Sequence, residues 1–153
     1  MKFGISVSQI HEVDLVIQAE SVGYDFCWVW DSPMIRSNLW ALLALVADRT
    51  TTIAVGPGVA VPSLAMAPVT ANAIATINAI APGRTFLGVG TGNTALRAMG
   101  QVPMGIADFK EHRSNKPIIP IDGRVFQHRG IGDHHVRAGR ERLFIGGGSG
   151  FGH

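Results

Sequence analysis

The sequence predicts an α/β domain, a parallel sheet covered by helices. Three observations carry this. Strand-type runs begin near positions 3, 25, 52 and 85, helical runs lie between them, and the second and fourth strand runs are apolar on both faces. Strands alternating with helices at this spacing build parallel sheets. A strand covered on both sides shows no polar face. With 153 residues, 46% hydrophobic and 16% charged, the chain has the size of one domain, residues 1–153. It also has enough apolar surface to offset chain entropy, which excludes disorder as its main state.

Each element has a local reason. Residues 2–7 form a short β-branched run. Ile10, Val13 and Ile17 then recur at helical spacing, and Gly23 closes that helix. Residues 25–31 (DFCWVWD) read as the second strand. Ser37 is positioned to cap a helix over 38–48. Residues 51–61 (TTIAVGPGVAV) read as a third strand bent by glycine and proline. Met66, Val69, Ala73, Ile77 and Ile80 mark a third helix, with Pro68 tolerated in its first turn and Pro82-Gly83 stopping it. Residues 84–89 are the fourth strand, and 94–99 a short helix ending at Gly100. Residues 1–112 thus hold clear βα units. The stretch 113–153 is a basic, Gly/His-rich tail. For this end of the chain the sequence predicts a helical stub over 108–113, a hairpin over 118–126, a loop over 130–140 and a short fifth strand over 143–145.

Charge and special residues narrow the function classes. Residues 1–100 carry five Lys/Arg and six Asp/Glu, while residues 101–153 carry eight and five. The basic tail lacks the aromatic interleaving of a nucleic-acid module, so no nucleic-acid partner is expected. The longest apolar run, 39–47, has nine residues, and a membrane span needs about twenty. With no secretory leader visible at the start, a cytoplasmic protein is expected. Cys27 is the one cysteine, which excludes an internal disulfide framework and a thiolate zinc cluster. His128, His134 and His135 lack metal spacing, and no metal site is expected. There is neither a G-x-S-x-G elbow nor a Cys–His pattern for nucleophilic catalysis.

In parallel α/β folds, functional groups gather at the carboxyl ends of the strands. Asp31-Ser32-Pro33 stands after strand two, Gly56-Pro57-Gly58-Val59 within strand three, Gly90-Thr91-Gly92-Asn93 after strand four, and a run of glycines at 146–150 after the fifth. Asp31 suits either a loop cap or a polar anchor in a pocket. Glycines inside strand three mark a bulge or a close backbone approach to a ligand. The turn Gly88-Val-Gly90-Thr-Gly92-Asn precedes a helix and suits an anion such as phosphate. Asn93 replaces the last glycine of a dinucleotide fingerprint, and no G-K-[ST] follows, so neither a Rossmann site nor a P-loop is expected. Trp28 and Trp30 share one strand parity and read as packing residues, and Cys27 as an inert buried thiol.

With KFGISV, AESVGYDFCWVWDSP, TTIAVGPGVAVP, INAIAPGRTFLGVGTGN and ALRAMG in this order, residues 1–112 resemble the bacterial luciferase-like superfamily of flavin- or deazaflavin-dependent oxidoreductases. IDGRVFQHRG and RLFIGGGSG match that family's hairpin insertion and fifth strand more loosely. The resemblance implies a TIM barrel with the cofactor, coenzyme F420 or FMN, at the carboxyl ends of the strands. It implies cofactor contacts at Asp31, Gly58, Val59, Thr91 and Gly92, and near Gly147 and Gly148; Asn93 is expected to complete this cofactor site. It also implies a non-prolyl cis peptide at Gly58–Val59. The sugar-phosphate dehydrogenase branch has a His and a Glu where this chain has Ser32 and Asn93. Neither replacement is a general acid or base near neutral pH, so a sugar phosphate is not the expected substrate and Ser32 and Asn93 are expected to orient rather than to carry protons. An eight-stranded barrel needs about 250 residues, so this chain reads as a partial, truncated barrel of four to five βα units. Exposed strand edges then predict a homo-oligomer. The alternative is a catalytically inactive fragment that binds a phosphate-bearing ligand weakly or only assembles with other chains. A doubly wound nucleotide-binding domain is a third reading, and it requires the strand order to reverse around strand one.

Overall fold

A computed structural model describes residues 1–109, together with the backbone of 137–138 and 141–142. The order is β1 (Gly4–Val7), α1 (Val13–Ser21), β2 (Phe26–Val29), α2 (Leu39–Arg49), β3 (Ala54–Pro57), α3 (Ala67–Ile80) and α4 (Asn93–Ala98). Residues 106–109 are helical, so helix begins two residues before the predicted stub, whose residues 110–113 lie outside the described residues. β1, β2 and β3 are parallel neighbours in chain order. The fourth strand bridges to the third and not to β1, so the order does not reverse around β1 and the doubly wound reading is removed. Among the described residues, no helix is long and apolar enough to cross a membrane.

The fourth strand is present but broken. It meets β3 at two parallel bridges, Val55 with Thr85 and Ala60 with Val89, rather than as a continuous ladder. Five residue steps along one chain face four along the other between these bridges. The extra residue is a β-bulge, and it falls on the Gly56–Val59 stretch where the strand glycines predicted one.

Two further expectations are corrected. Asn38, not Ser37, caps α2: its Oδ1 accepts from the Trp40 and Ala41 amides, both at 3.1 Å. Ser37 instead ties the chain back to the start of the fold, accepting from the Ile10 amide at 3.0 Å and donating to Gln9 Oε1 at 3.1 Å. Within the predicted loop over 130–140, Arg137–Ala138 (β4) pairs antiparallel with Glu141–Arg142 (β5). The predicted hairpin at 118–126 and fifth strand at 143–145 lie outside the described residues.

The helix side of the sheet carries the core. Val7, Cys27, Val29 and Val55 from the strands pack with Val16 of α1, Leu42, Leu43 and Val46 of α2, and Ile74 and Ile77 of α3. Burial pushes the Cys27 thiol up to about 12, so it stays protonated and inert as expected. The opposite face is aromatic. The rings of Phe26, Trp28 and Phe86 lie 5.5–6.2 Å apart. A Cβ at Gly4 or Gly58 would strike the Trp28 ring, and one at Gly56 would strike Phe86. The small residues in β1 and β3 are therefore space for these rings.

The amino ends of the strands are closed by charge. The Glu20 carboxylate Oε1 accepts from the amides of Thr51, Thr52 and Ile53, at 2.6–2.9 Å, and from the Thr52 hydroxyl at 3.0 Å. Burial acts to raise its pKa, but these donors outweigh it and hold the carboxyl below its usual range. A depressed carboxylate stabilises the fold above its unfolded pKa and loses that contribution as pH falls through the folded value. Glu20→Gln is therefore expected to unfold at lower urea than the parent at pH 7, with the gap closing below the usual carboxylate range. A gap that persists unchanged at low pH would contradict the assignment.

Candidate functional site

Three strand ends are stitched together on one end of the sheet. Asp31 lies two residues beyond β2, and its Oδ2 accepts from the Val61 amide at 2.9 Å. The Gly58–Val59 peptide is cis, as the resemblance implies. The Gly58 amide donates to the Val29 carbonyl at 2.8 Å, which holds the bulge to β2. Ala60 donates to the Gly88 carbonyl at 2.8 Å and receives the Gly90 amide at 3.1 Å, which holds it to the fourth strand.

Packing explains why glycine stands at 90 and 92. A Cβ on Gly90 would lie 2.5 Å from Val59 Cγ2, and one on Gly92 would overlap the Val61 methyls. Gly92 also has φ +72°, a left-handed conformation that L side chains rarely adopt. Its carbonyl accepts from the Leu96 amide at 2.9 Å and starts α4. Val61, Ala95 and Leu96 then form a small second core under the turn.

The structure thus brings Asp31, Val59, Thr91 and Gly92 to one place, with Gly58 behind them over Trp28. Asn93 is exposed, and its Oδ1 accepts from Arg97 Nε at 2.6 Å. Gly147 and Gly148 lie outside the described residues. Among the described residues, no hydrogen bond engages the amides of Val59 and Thr91, and no group of His, Cys, Asp and Glu is arranged to hold a metal.

Of the two readings of Asp31, the structure does not show the cap of the following loop. Asp31 bridges instead to the segment after β3. Burial pushes its carboxyl above the usual range, and the Val61 amide counters this in part. A raised acid favours the fold most below its unfolded pKa and loses that advantage as pH rises through the folded value. Asp31→Asn keeps an acceptor for Val61 and removes the cost of burying a charge. The variant is expected to be at least as stable as the parent at pH 8 in urea unfolding, and any loss it shows should be in ligand binding. A large loss of stability at pH 8 would mean that the negative charge itself holds the fold.

Sequence reasoning passed over Val61, the partner of Asp31. Nothing in a single sequence links positions 31 and 61, which only the parallel pairing of β2 and β3 brings together. It also assigned Trp30 to packing, although strand parity and its place at the carboxyl end of β2 put it at this mouth.

A half-buried carboxyl, unengaged backbone amides and closely packed glycines thus stand together at the carboxyl end of a (β/α)-barrel arc. The family model described as luciferase-like monooxygenase matches residues 7–114. The chain belongs to that luciferase-like family. It is 39% identical over 146 residues to a 5,10-methylenetetrahydromethanopterin reductase of Archaeoglobus fulgidus, covering 85% of this chain and 42% of the relative. It is 36% identical over 108 residues to an F420-dependent glucose-6-phosphate dehydrogenase of Kineococcus radiotolerans, covering 65% and 31%. Among solved structures, it matches the coenzyme F420-dependent tetrahydromethanopterin reductase of Methanopyrus kandleri with a TM-score of 0.59 and 30% identity, over 65% of this chain and 30% of that one. The chain therefore spans less than half the length of these relatives, and its fold is part of their TIM barrel.

Proposed function

We propose that this chain builds the cofactor site of an oxidoreductase that uses coenzyme F420, with FMN as the alternative, to move hydride to or from a small organic substrate. One observation carries the reading: the Asp31–Val61 hydrogen bond and the Val59–Gly90 and Val61–Gly92 contacts gather the polar and backbone groups of three strand ends at one site. These residues fit such a group. The unengaged amides of Val59 and Thr91 are donors for a heterocycle's carbonyl edge, at the same strand ends as the half-buried Asp31 carboxyl. The bound cofactor supplies the hydride chemistry. Asp31 and the two amides would hold its polar edge, and Val59, after β3, would help wall it from water. Neither Ser32 nor Asn93 can act as a general acid or base near neutral pH, so a sugar phosphate is not the proposed substrate.

Titration of the purified chain with coenzyme F420 and with FMN, followed by absorbance and fluorescence, tests this. Saturable micromolar binding of one is expected. No binding to either by a chain that circular dichroism shows folded would favour the second reading, a fragment without the activity.

The proposal includes self-association. Among the described residues β1 pairs only with β2, and Phe3 beside its free edge is 55% exposed. Unpaired strand edges favour pairing between chains. Light scattering at high micromolar concentration is expected to give a dimer or larger species, and a clean monomer would overturn it.

A further inference from the structure

Trp30 is 41% exposed yet held on two sides. It stands one residue past β2 with the parity of Trp28, so it projects from the aromatic inner face at the end where Asp31 and Val59 gather. Its amide donates to the Val7 carbonyl at 3.1 Å, and its indole Nε1 donates to Ser6 Oγ on β1. The Arg36 guanidinium, from the segment after β2, lies 5.4 Å from the indole centroid. Among the described residues no carboxylate pairs with Arg36, and the one salt bridge is Arg49–Asp14. Glu12 is close enough to feel Arg36. Its Oε2, however, is already taken by the amides of Ser8 and Gln9, at 2.6 and 2.7 Å. The mouth of the site therefore presents an indole anchored by its N–H and a guanidinium without an ionic partner.

We propose that Trp30 and Arg36 form the substrate-selecting wall of the site, for a substrate that joins a planar ring to a carboxylate. The ring stacks beside the indole, and the carboxylate takes the guanidinium fork, which matches its two oxygens. Ser6 is a positioning residue that fixes the indole. This deepens the function proposed above and rests on it for the cofactor's place beside the ring.

Equilibrium dialysis of the full chain against quinoline-6-carboxylate and quinoline tests the wall with a matched pair of probes. The parent is expected to hold the carboxylate at least tenfold more tightly than the neutral ring. Arg36→Met should erase that preference and leave quinoline binding unchanged. Trp30→Leu should weaken both probes at least fivefold, and Trp30→Phe should restore most of the loss. Because Arg36→Met and Trp30→Phe alter little volume, they keep the test open if Trp30→Leu fails to fold. No binding by the parent, equal binding of both probes, or a preference that survives Arg36→Met would each overturn the proposal. A parallel cofactor titration separates the two ideas. Probe binding with this pattern but no cofactor binding would sink the oxidoreductase reading and leave the wall standing. Cofactor binding without the pattern would do the reverse.

Discussion

Arg84→Met is expected to lower the unfolding free energy by about 3 kcal/mol, given that bonds from a charged donor contribute about 1.5–3 kcal/mol each and do not add fully. The guanidinium reaches four acceptors. Nη1 donates to Thr50 Oγ1 at 3.1 Å and to the Ile53 carbonyl at 2.8 Å, and Nη2 donates to the carbonyls of Ala47 and Thr50 at 2.9 and 2.8 Å. Ala47 lies in the last turn of α2, whose carbonyls have no partner within the helix. One side chain at the start of the fourth strand therefore closes α2 and fastens the segment leading into β3. Burial pulls the Arg84 pKa down and Glu20 counters it, so the two charged residues brace the same loop from opposite sides. Lysine cannot reproduce the planar fork, and Arg84→Lys should recover less than half of the loss. Urea unfolding followed by circular dichroism checks both variants. A change below about 1 kcal/mol, the size of a single ordinary hydrogen bond, would mean that water replaces the guanidinium without difficulty. The site lies at the other end of the strands, so cofactor affinity should change little at temperatures where the variant is folded.

Gly92→Ala should have the opposite profile, a modest loss of stability and a large loss of binding. The left-handed φ of +72° and the overlap with the Val61 methyls act together. Forcing an extra methyl into a packed contact costs about 1–3 kcal/mol, and the alanine must also hold a backbone conformation it disfavours. Relief requires the turn to move away from Val61, and Thr91 and α4 move with it. Coenzyme F420 affinity is expected to fall at least tenfold in a fluorescence titration. The double variant Gly92→Ala/Val61→Ala removes the overlap but not the φ penalty, and should regain part of the affinity. Full affinity in the single variant would mean that the turn lies outside the cofactor site.

Periodicity made much of the fold legible. Val13 and Ile17 share a helix face because helices repeat every 3.6 residues, whereas Ile10 falls in the 3-10 turn before α1 and is exposed, and Cys27 and Val29 share a sheet face because strands repeat every two. Those spacings are local, and the elements at 4–7, 13–21, 26–29, 39–49, 67–80 and 93–98 followed them closely. The misses also have local causes. Ser37 and Asn38 are both good caps, and the choice fell to Asn38 because Ser37 was drawn to Gln9 and Ile10 across the fold. The fourth strand has strand composition throughout, but its partner carries the bulge, so its pairing breaks at a place its own residues do not mark.

The candidate site was less legible. Asp31, Gly58, Val59, Thr91 and Gly92 stood out as polar or small residues at strand ends, because that is where a parallel barrel leaves backbone open. Asn93 stood out for the same reason, yet its partner is Arg97 one turn on. Trp30 looked like a core residue by composition, since indoles are mostly buried, and its exposure depends on what stands above it.

By itself, the sequence determined the class of this protein. The alternation of strand and helix, the parity of each strand and the glycines at their carboxyl ends are properties of short stretches, and local geometry reads them directly. The tertiary structure alone decided the partners. That Asp31 answers Val61, that Arg84 closes α2, and that Trp30 meets Ser6 and Arg36 follow from which strands lie side by side and in what register. Hydrogen bonds and charge act over a few ångströms in space, whatever the distance along the chain.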